Sequence, residues 1–274
     1  MPAKNFLPTA GPIGTAVSLA IIALIMLIIA ANYNYLMNKF PDAGGAFTYT
    51  KKIFGKDQAI LCSCFLWFAY LNLLWSNAVS LSLIGEDFLD KIFKFGFSYN
   101  FFGYEIYLGE IIFTIAILFC IGILCAKRKF FTGRFNTILA LIFLLCGLAC
   151  TIFSLTGGGD TERFSPPFSS TGTTFEQIFG IIALAPCAFM GFECISNATA
   201  EFNFKPKKSF AIMAAAIIAV AIFYVAMTFL TLAHIPIGFA TWQEYIANLS
   251  DWHGSQSMPL LYAANEGLGR LGGR

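Results

Sequence analysis

Residues 178–200, IFGIIALAPCAFMGFECISNATA, form a long apolar run carrying a single charge, Glu193. Neither Ile178 to Phe192 nor Cys194 to Ala200 holds another. A carboxylate at that depth in a membrane segment costs at least about 2.5 kcal/mol by insertion scales, and it normally faces a cavity or a partner. Pro186 and Gly191 stand at the same place, and both weaken a helical hydrogen-bond ladder. The stretch reads as a membrane helix broken near 186–193, with an acid beside the break. That combination suggests a site for small polar solutes. The plainer alternative is a Pro-kinked helix whose glycine packs closely and whose Glu193 reaches the interface.

Working outward, hydrophobic residues make up 58% of the 274 positions and charged residues only 12%, about half the charged share of an average soluble domain. The deficit concentrates in six segments, predicted to span the membrane at 13–31, 59–84, 107–126, 135–156, 178–200 and 210–235. Most reach the roughly 20 residues that cross a bilayer as helix. They are continuous runs, not alternating ones, which argues against a barrel. An all-α polytopic membrane protein is predicted, as one transmembrane domain over residues 1–274 in the cell membrane, with the lipid bilayer as its surroundings.

Net charge is only +2, but its distribution is informative. If residues 32–57 are cytoplasmic, cytoplasmic segments hold Lys39, Lys51, Lys52, Lys56, Lys127, Arg128, Lys129, Arg134, Lys205, Lys207 and Lys208, against six basic residues on the other side. Positive charge near spans favours the cytoplasm, so this orientation is preferred. It leaves both ends outside, and a short N-terminal stretch without a signal pattern is seldom exported. Pro8-Thr9-Ala10-Gly11-Pro12 reads as an interhelical loop, and Ser257-Met258-Pro259 opens a further apolar segment. The expectation is the middle of a longer protein, with a helix upstream.

The other segments read simply. Asn32-Tyr33-Asn34-Tyr35 suits an interface, and Phe47, Tyr49, Ile53 and Phe54 suggest a short interfacial helix with lysines on its other side. Residues 86–109 are expected to be an aromatic, acidic loop with a short surface helix around 88–95. Residues 157–176, with Gly157-Gly158-Gly159 and Pro166-Pro167, are expected to be a flexible loop. All eight cysteines lie in apolar segments without a Cys-x-x-Cys pair, so they read as small buried hydrophobes. No phosphate-cradling loop and no Ser/His/Asp set is visible. No enzyme activity, cofactor, metal or nucleic-acid partner is expected, and no filter-like repeat suggests a channel.

Two motifs point to a family. Phe40-Pro41-Asp42-Ala43-Gly44-Gly45-Ala46-Phe47-Thr48-Tyr49, followed by Lys51 and Phe54-Gly55, resembles the Pro-x-Ala-Gly-Gly-x-Tyr/Phe-x-Tyr signature of the amino acid–polyamine–organocation (APC) permeases. Ala188-Phe189-Met190-Gly191-Phe192-Glu193, with Ala200-Glu201 and Pro206-Lys207-Lys208 beyond, is similar to that family's broken sixth helix and its cytoplasmic exit. Pro206 lies about one residue farther on than usual, and Phe204-Lys205 replaces the common Lys-Asn. The resemblance covers the whole chain as family helices two to seven. It implies part of a LeuT-like five-plus-five inverted-repeat fold lacking helix 1 and helices 8–12, with solute bound between broken helices one and six.

What the resemblance implies for function is secondary transport of an amino acid or related amine, with this truncated chain inactive alone. Phe189, Met190, Gly191, Phe192 and Glu193 would be the substrate-binding half that the chain contains. Carbonyls at Phe189–Gly191 would meet the substrate ammonium. Glu193 would titrate or position the break, with burial raising its pKa toward a range useful for proton coupling. Pro41, Gly44 and Gly45 would form a cytoplasmic hinge or gate. Cys187 stands where some relatives place a gating aromatic, with Phe192 as the alternative lid. The competing reading is a non-transporting scaffold, subunit or degenerate permease fragment.

Overall fold

The computed structural model describes residues 5–93, 95–101, 104–127, 129–156, 165–170, 172–202, 204–236, 239, 241–249 and 259–271. Among these, six helical stretches are long and apolar enough to cross a membrane: Leu7–Lys39, Lys56–Ser80, Leu108–Lys127, Gly133–Ile152, Thr174–Glu201 and Pro206–Ala233. The protein is an all-helical, multi-pass membrane protein apart from one short hairpin among the described residues. Two compact units divide it, one of residues 1–60 with 143–274 and one of residues 61–142.

The first unit is organised around α1 (Leu7–Lys39). Helices α6 (Thr174–Leu184) and α7 (Ser209–Ala233) pack along it. Its buried face carries Ala10, Leu19, Ile22, Ala23, Met26 and Ala30, and it also buries Thr15 and Ser18. Small residues let backbones approach closely where lipid offers no hydrophobic drive for helix association. The Ser18 hydroxyl is satisfied within its own helix, donating to the Gly14 carbonyl at 2.7 Å.

Residues 8–12 correct the loop expected there. They lie inside α1, which bends at Gly11 (φ 70°, ψ −176°) ahead of Pro12. The physical reason is a partner distant in sequence. Ile13 N–H donates to the Pro167 carbonyl at 3.1 Å, and the Ser169 hydroxyl donates to the Pro8 carbonyl at 2.8 Å. Pro166 in turn accepts from the Trp242 indole N–H at 3.1 Å. Trp242 and Tyr245 of the short helix α8 (Trp242–Ala247) are buried with Leu7, Leu232 and Ile235. Residues 165–170 are thus a packed wedge, whereas Gly157-Gly158-Gly159 lie outside the described residues, as do Ser257 and Met258. Pro259 opens α9 (Pro259–Leu271), which packs on α7.

At the other end of α1, Asn34 donates to the Pro206 carbonyl at 2.9 Å and the Ser209 hydroxyl at 2.8 Å. The tyrosine–asparagine end expected to face the interface is therefore half turned inward. Helix α2 (Gly45–Phe54) follows it.

In the second unit, α3 (Lys56–Phe93), which begins in the first, continues to Phe93, so no separate surface helix forms around 88–95. Nothing in 86–93 breaks a helix; the first positive-φ glycine comes at Gly96. An antiparallel hairpin follows, β1 (Ser98–Phe101) with β2 (Tyr104–Tyr107). Its tyrosines, phenylalanine and isoleucine are strong strand formers. Helices α4 (Leu108–Lys127) and α5 (Lys129–Thr156) come next, α5 running on into the first unit.

The cysteines are free thiols but not buried within the chain: Cys62 and Cys150 are half-buried and the other six exposed. Outward-facing positions on membrane spans tolerate a small apolar side chain, since lipid is as apolar as a core.

Candidate functional site

The broken helix begins with a capping box. The Thr173 hydroxyl accepts Glu176 N–H at 3.3 Å, and the Glu176 carboxylate accepts Thr173 N–H at 2.8 Å. From there α6 runs to Leu184. Pro186 has no N–H for the ladder, and the chain tightens into a 3₁₀ segment over Ala185–Phe189. Met190 is extended (φ −61°, ψ 142°), and Gly191 is left-handed (φ 111°, ψ −21°), a conformation that side-chain-bearing residues rarely adopt. A second 3₁₀ segment runs from Phe192 to Glu201. Runs of that geometry beyond three or four residues are uncommon and often mark a hinge.

Glu193 folds back on the break. Its carboxylate accepts Gly191 N–H at 2.8 Å, while Gly191 C=O accepts Cys194 N–H at 3.1 Å. The acid thus satisfies the donor that the interruption releases. Beyond its own chain neighbours, nothing lies within 4 Å of where a Cβ on Gly191 would sit, so the bend opens on space. Met190, Gly191 and Cys187 are exposed, and Glu193 is half-buried. Phe189 points the other way, into the core with Ile181, Met213 and Ile217. Phe192 also packs inward, its ring edge-on to Tyr33 of α1 at 6.4 Å.

The Pro41–Gly45 turn lies at the far end of this segment. Gly44 (φ 116°) and Gly45 (φ 49°) are both left-handed, and the Thr48 hydroxyl donates to Ala43 C=O at 3.0 Å. Pro41 and Asp42 are exposed, and Asp42 pairs with Lys52. Gly45 seats α2 against the Phe192–Glu201 segment: a Cβ there would strike the Asn197 amide oxygen and come within 2.5 Å of the Ser196 hydroxyl. One helical turn on, Tyr49 is buried against Ser196 and Thr199. Burial pushes its phenol above the ordinary tyrosine range, with the Thr199 and Ser196 hydroxyls pulling the other way. Tyr49 also meets Tyr33 edge-on at 6.4 Å. An aromatic chain Tyr49–Tyr33–Phe192 therefore joins the turn to the break. Ser196 and Thr199 do not stand out in the sequence, where two hydroxyls one helical turn apart in an apolar run are the only signal; Tyr33 and Asn34 read there only as part of an interfacial helix end.

The sequence model for "Amino acid permease" matches residues 3–254. The chain belongs to the amino acid permease family, within the APC superfamily. Neither a curated protein nor a solved structure matches it. Membership makes it a transporter of the permease kind rather than an enzyme, acting on a small-molecule substrate.

Proposed function

We propose that the chain carries one half of the binding site of a secondary transporter for amino acids or related amines, centred on the break at Met190–Gly191. The observation that carries this reading is the open left-handed bend at Gly191 with its N–H held by Glu193. A substrate ammonium would meet carbonyls where the ladder is interrupted, as at other broken membrane helices. Since Gly191 C=O already accepts Cys194 N–H, Phe189 and Met190 offer the freer acceptors. Of the two, Met190 is exposed, whereas Phe189 is buried.

Glu193 would link proton and shape. Only the ionised carboxylate is a pure acceptor, so taking up a proton weakens its hold on Gly191 N–H and loosens the bend. The Gly44-Gly45 turn would act as a hinge that carries the Phe192–Glu201 segment with it, with Pro41 closing the turn. Cys187, exposed one turn before the break, would border the path, and Phe192 would steady the bend through Tyr33 rather than close over it.

The test is uptake of a panel of labelled amino acids and polyamines into plasma-membrane-type proteoliposomes by the complete gene product. Saturable uptake of at least one, lost in Gly191→Leu, is the expected result. Uptake indifferent to that substitution would remove the break from the site. Orientation is checked separately: cysteines placed at Lys51, Lys127 and Lys207 in a thiol-light background should resist an impermeant thiol reagent in intact cells.

A further inference from the structure

Helix α2 joins α1 to α3, two helices that both span, so it lies at one membrane surface. Its inward stripe is Gly45 and Tyr49, buried against the Phe192–Glu201 segment. One turn farther the stripe runs off the protein at Ile53, which is 53% exposed, and the neighbouring Phe54 is 69% exposed. Around this apolar tip stand Lys51, Lys52 and Lys56, all exposed. Lysines are also held in place by aromatic rings. Lys39 Nζ and Lys52 Nζ lie 5.6 and 5.1 Å from the centroid of one ring, Phe40, and Lys51 Nζ lies 6.0 Å from Phe47. The acids nearby are Asp42, which pairs with Lys52, and Asp57, so the tip keeps a positive excess.

An exposed apolar tip collared by lysines has the chemistry of an interfacial helix that binds anionic lipid. We infer that the end of α2 is a docking site for the headgroup of an anionic phospholipid, with Ile53 and Phe54 set among its acyl chains. The lysines supply charge complementary to the phosphate, and the apolar tip selects a lipid over a free anion. Through Gly45 and Tyr49, a lipid held here clamps α2 onto the segment that follows the break. This site does not depend on the transport reading, since it concerns binding at the membrane surface.

The experiment measures the thermal midpoint of the purified chain in an uncharged detergent. Phosphatidylglycerol, phosphatidylcholine of the same acyl chains, and soluble glycerol phosphate are added in turn. Phosphatidylglycerol should raise the midpoint by several degrees and the other two by much less. The increment should fall by at least half in Lys51→Gln/Lys52→Gln/Lys56→Gln, return with arginine at the same positions, and shrink in Ile53→Ser/Phe54→Ser. It should survive in Lys127→Gln/Arg134→Gln, which alters basic residues elsewhere. In the unaltered chain, about 0.5 M salt should suppress it by screening. Equal shifts from both lipids, a full increment in the triple glutamine variant, or equal loss in the distant variant would overturn the proposal. Reproduction of the increment by glycerol phosphate would make this a site for free anions and overturn it as well.

Discussion

Two helices of the first unit bend at a glycine, at Gly11 and at Gly191, and the bends differ in what occupies them. At Gly11 the released donor of Ile13 goes to Pro167, and a Cβ would lie 2.8 Å from Phe168 Cα and 2.9 Å from the Pro167 carbonyl oxygen. Protein fills that bend. At Gly191 the released donor is taken by Glu193, two residues along the same chain, and no neighbour comes within 4 Å. A bend satisfied locally leaves the space beside its glycine unfilled. The second leaves room beside its freed groups, so a broken membrane helix is read by where those groups go, not by the break itself.

The largest effect should come from the filled bend. Gly11→Ala combines a positive φ with a backbone clash, and it should cost about 3 kcal/mol or more, lowering the thermal midpoint by on the order of 10 °C. An unchanged midpoint would mean the wedge is loose, and the contrast would collapse. Gly191→Leu should do the reverse. Its cost is confined to φ strain of about 1–3 kcal/mol, while the added side chain occupies the vacant space and abolishes uptake. Gly191→Ala, which carries the strain without the bulk, separates the two contributions by retaining part of the uptake.

Glu193 sharpens the comparison from the side of the local acceptor. Glu193→Ala removes the partner of Gly191 N–H and should cost about 1–2 kcal/mol. Glu193→Gln keeps an acceptor oxygen and removes the titratable charge, so expression should hold while the pH profile of uptake flattens. A well-expressed glutamine variant with an unchanged profile would end the proton-linked role and leave the backbone role standing.

The smallest effect belongs to the filled side at high pH. Tyr245, packed with Trp242 behind the wedge, has its phenol pushed up to about 12 by burial, with Tyr262 adding to it. The fold holds the neutral phenol, so this contribution is complete below about pH 10 and is lost as pH rises toward 12. Midpoints measured on either side of that window should converge in Tyr245→Phe. If they fall as steeply there, another group governs the alkaline side.

The six apolar runs were legible because a bilayer demands length and hydropathy, both local properties. The sites of Pro186 and Gly191 were legible for the same reason, since each residue weakens a helix wherever it stands. Gly11 was not. Pro8 and Pro12 around a glycine suit a loop equally well, and what makes them helical is a wedge more than 150 residues away. The hairpin at Ser98–Tyr107 hid among aromatics that also suit a membrane interface. The seating of Gly45 on Ser196 and Asn197 was hidden by distance along the chain, although the Gly44-Gly45 pair itself was plain. Cys187 and Met190 carried no local mark of facing open space.

The first unit is interrupted in the chain: residues 61–142 are made between α1 and the helices that cover it. At common synthesis rates of about 5–20 residues per second, α1 waits on the order of ten seconds before α6 emerges. Its buried hydroxyl at Ser18 is equipped for the delay, because the bond to Gly14 C=O forms within α1 itself. The bond from the same hydroxyl to Ile178 C=O, at 3.4 Å, can be added only on assembly. Until residue 174 is made, the helices that cover α1 are absent, and its packing face stands unmatched by them.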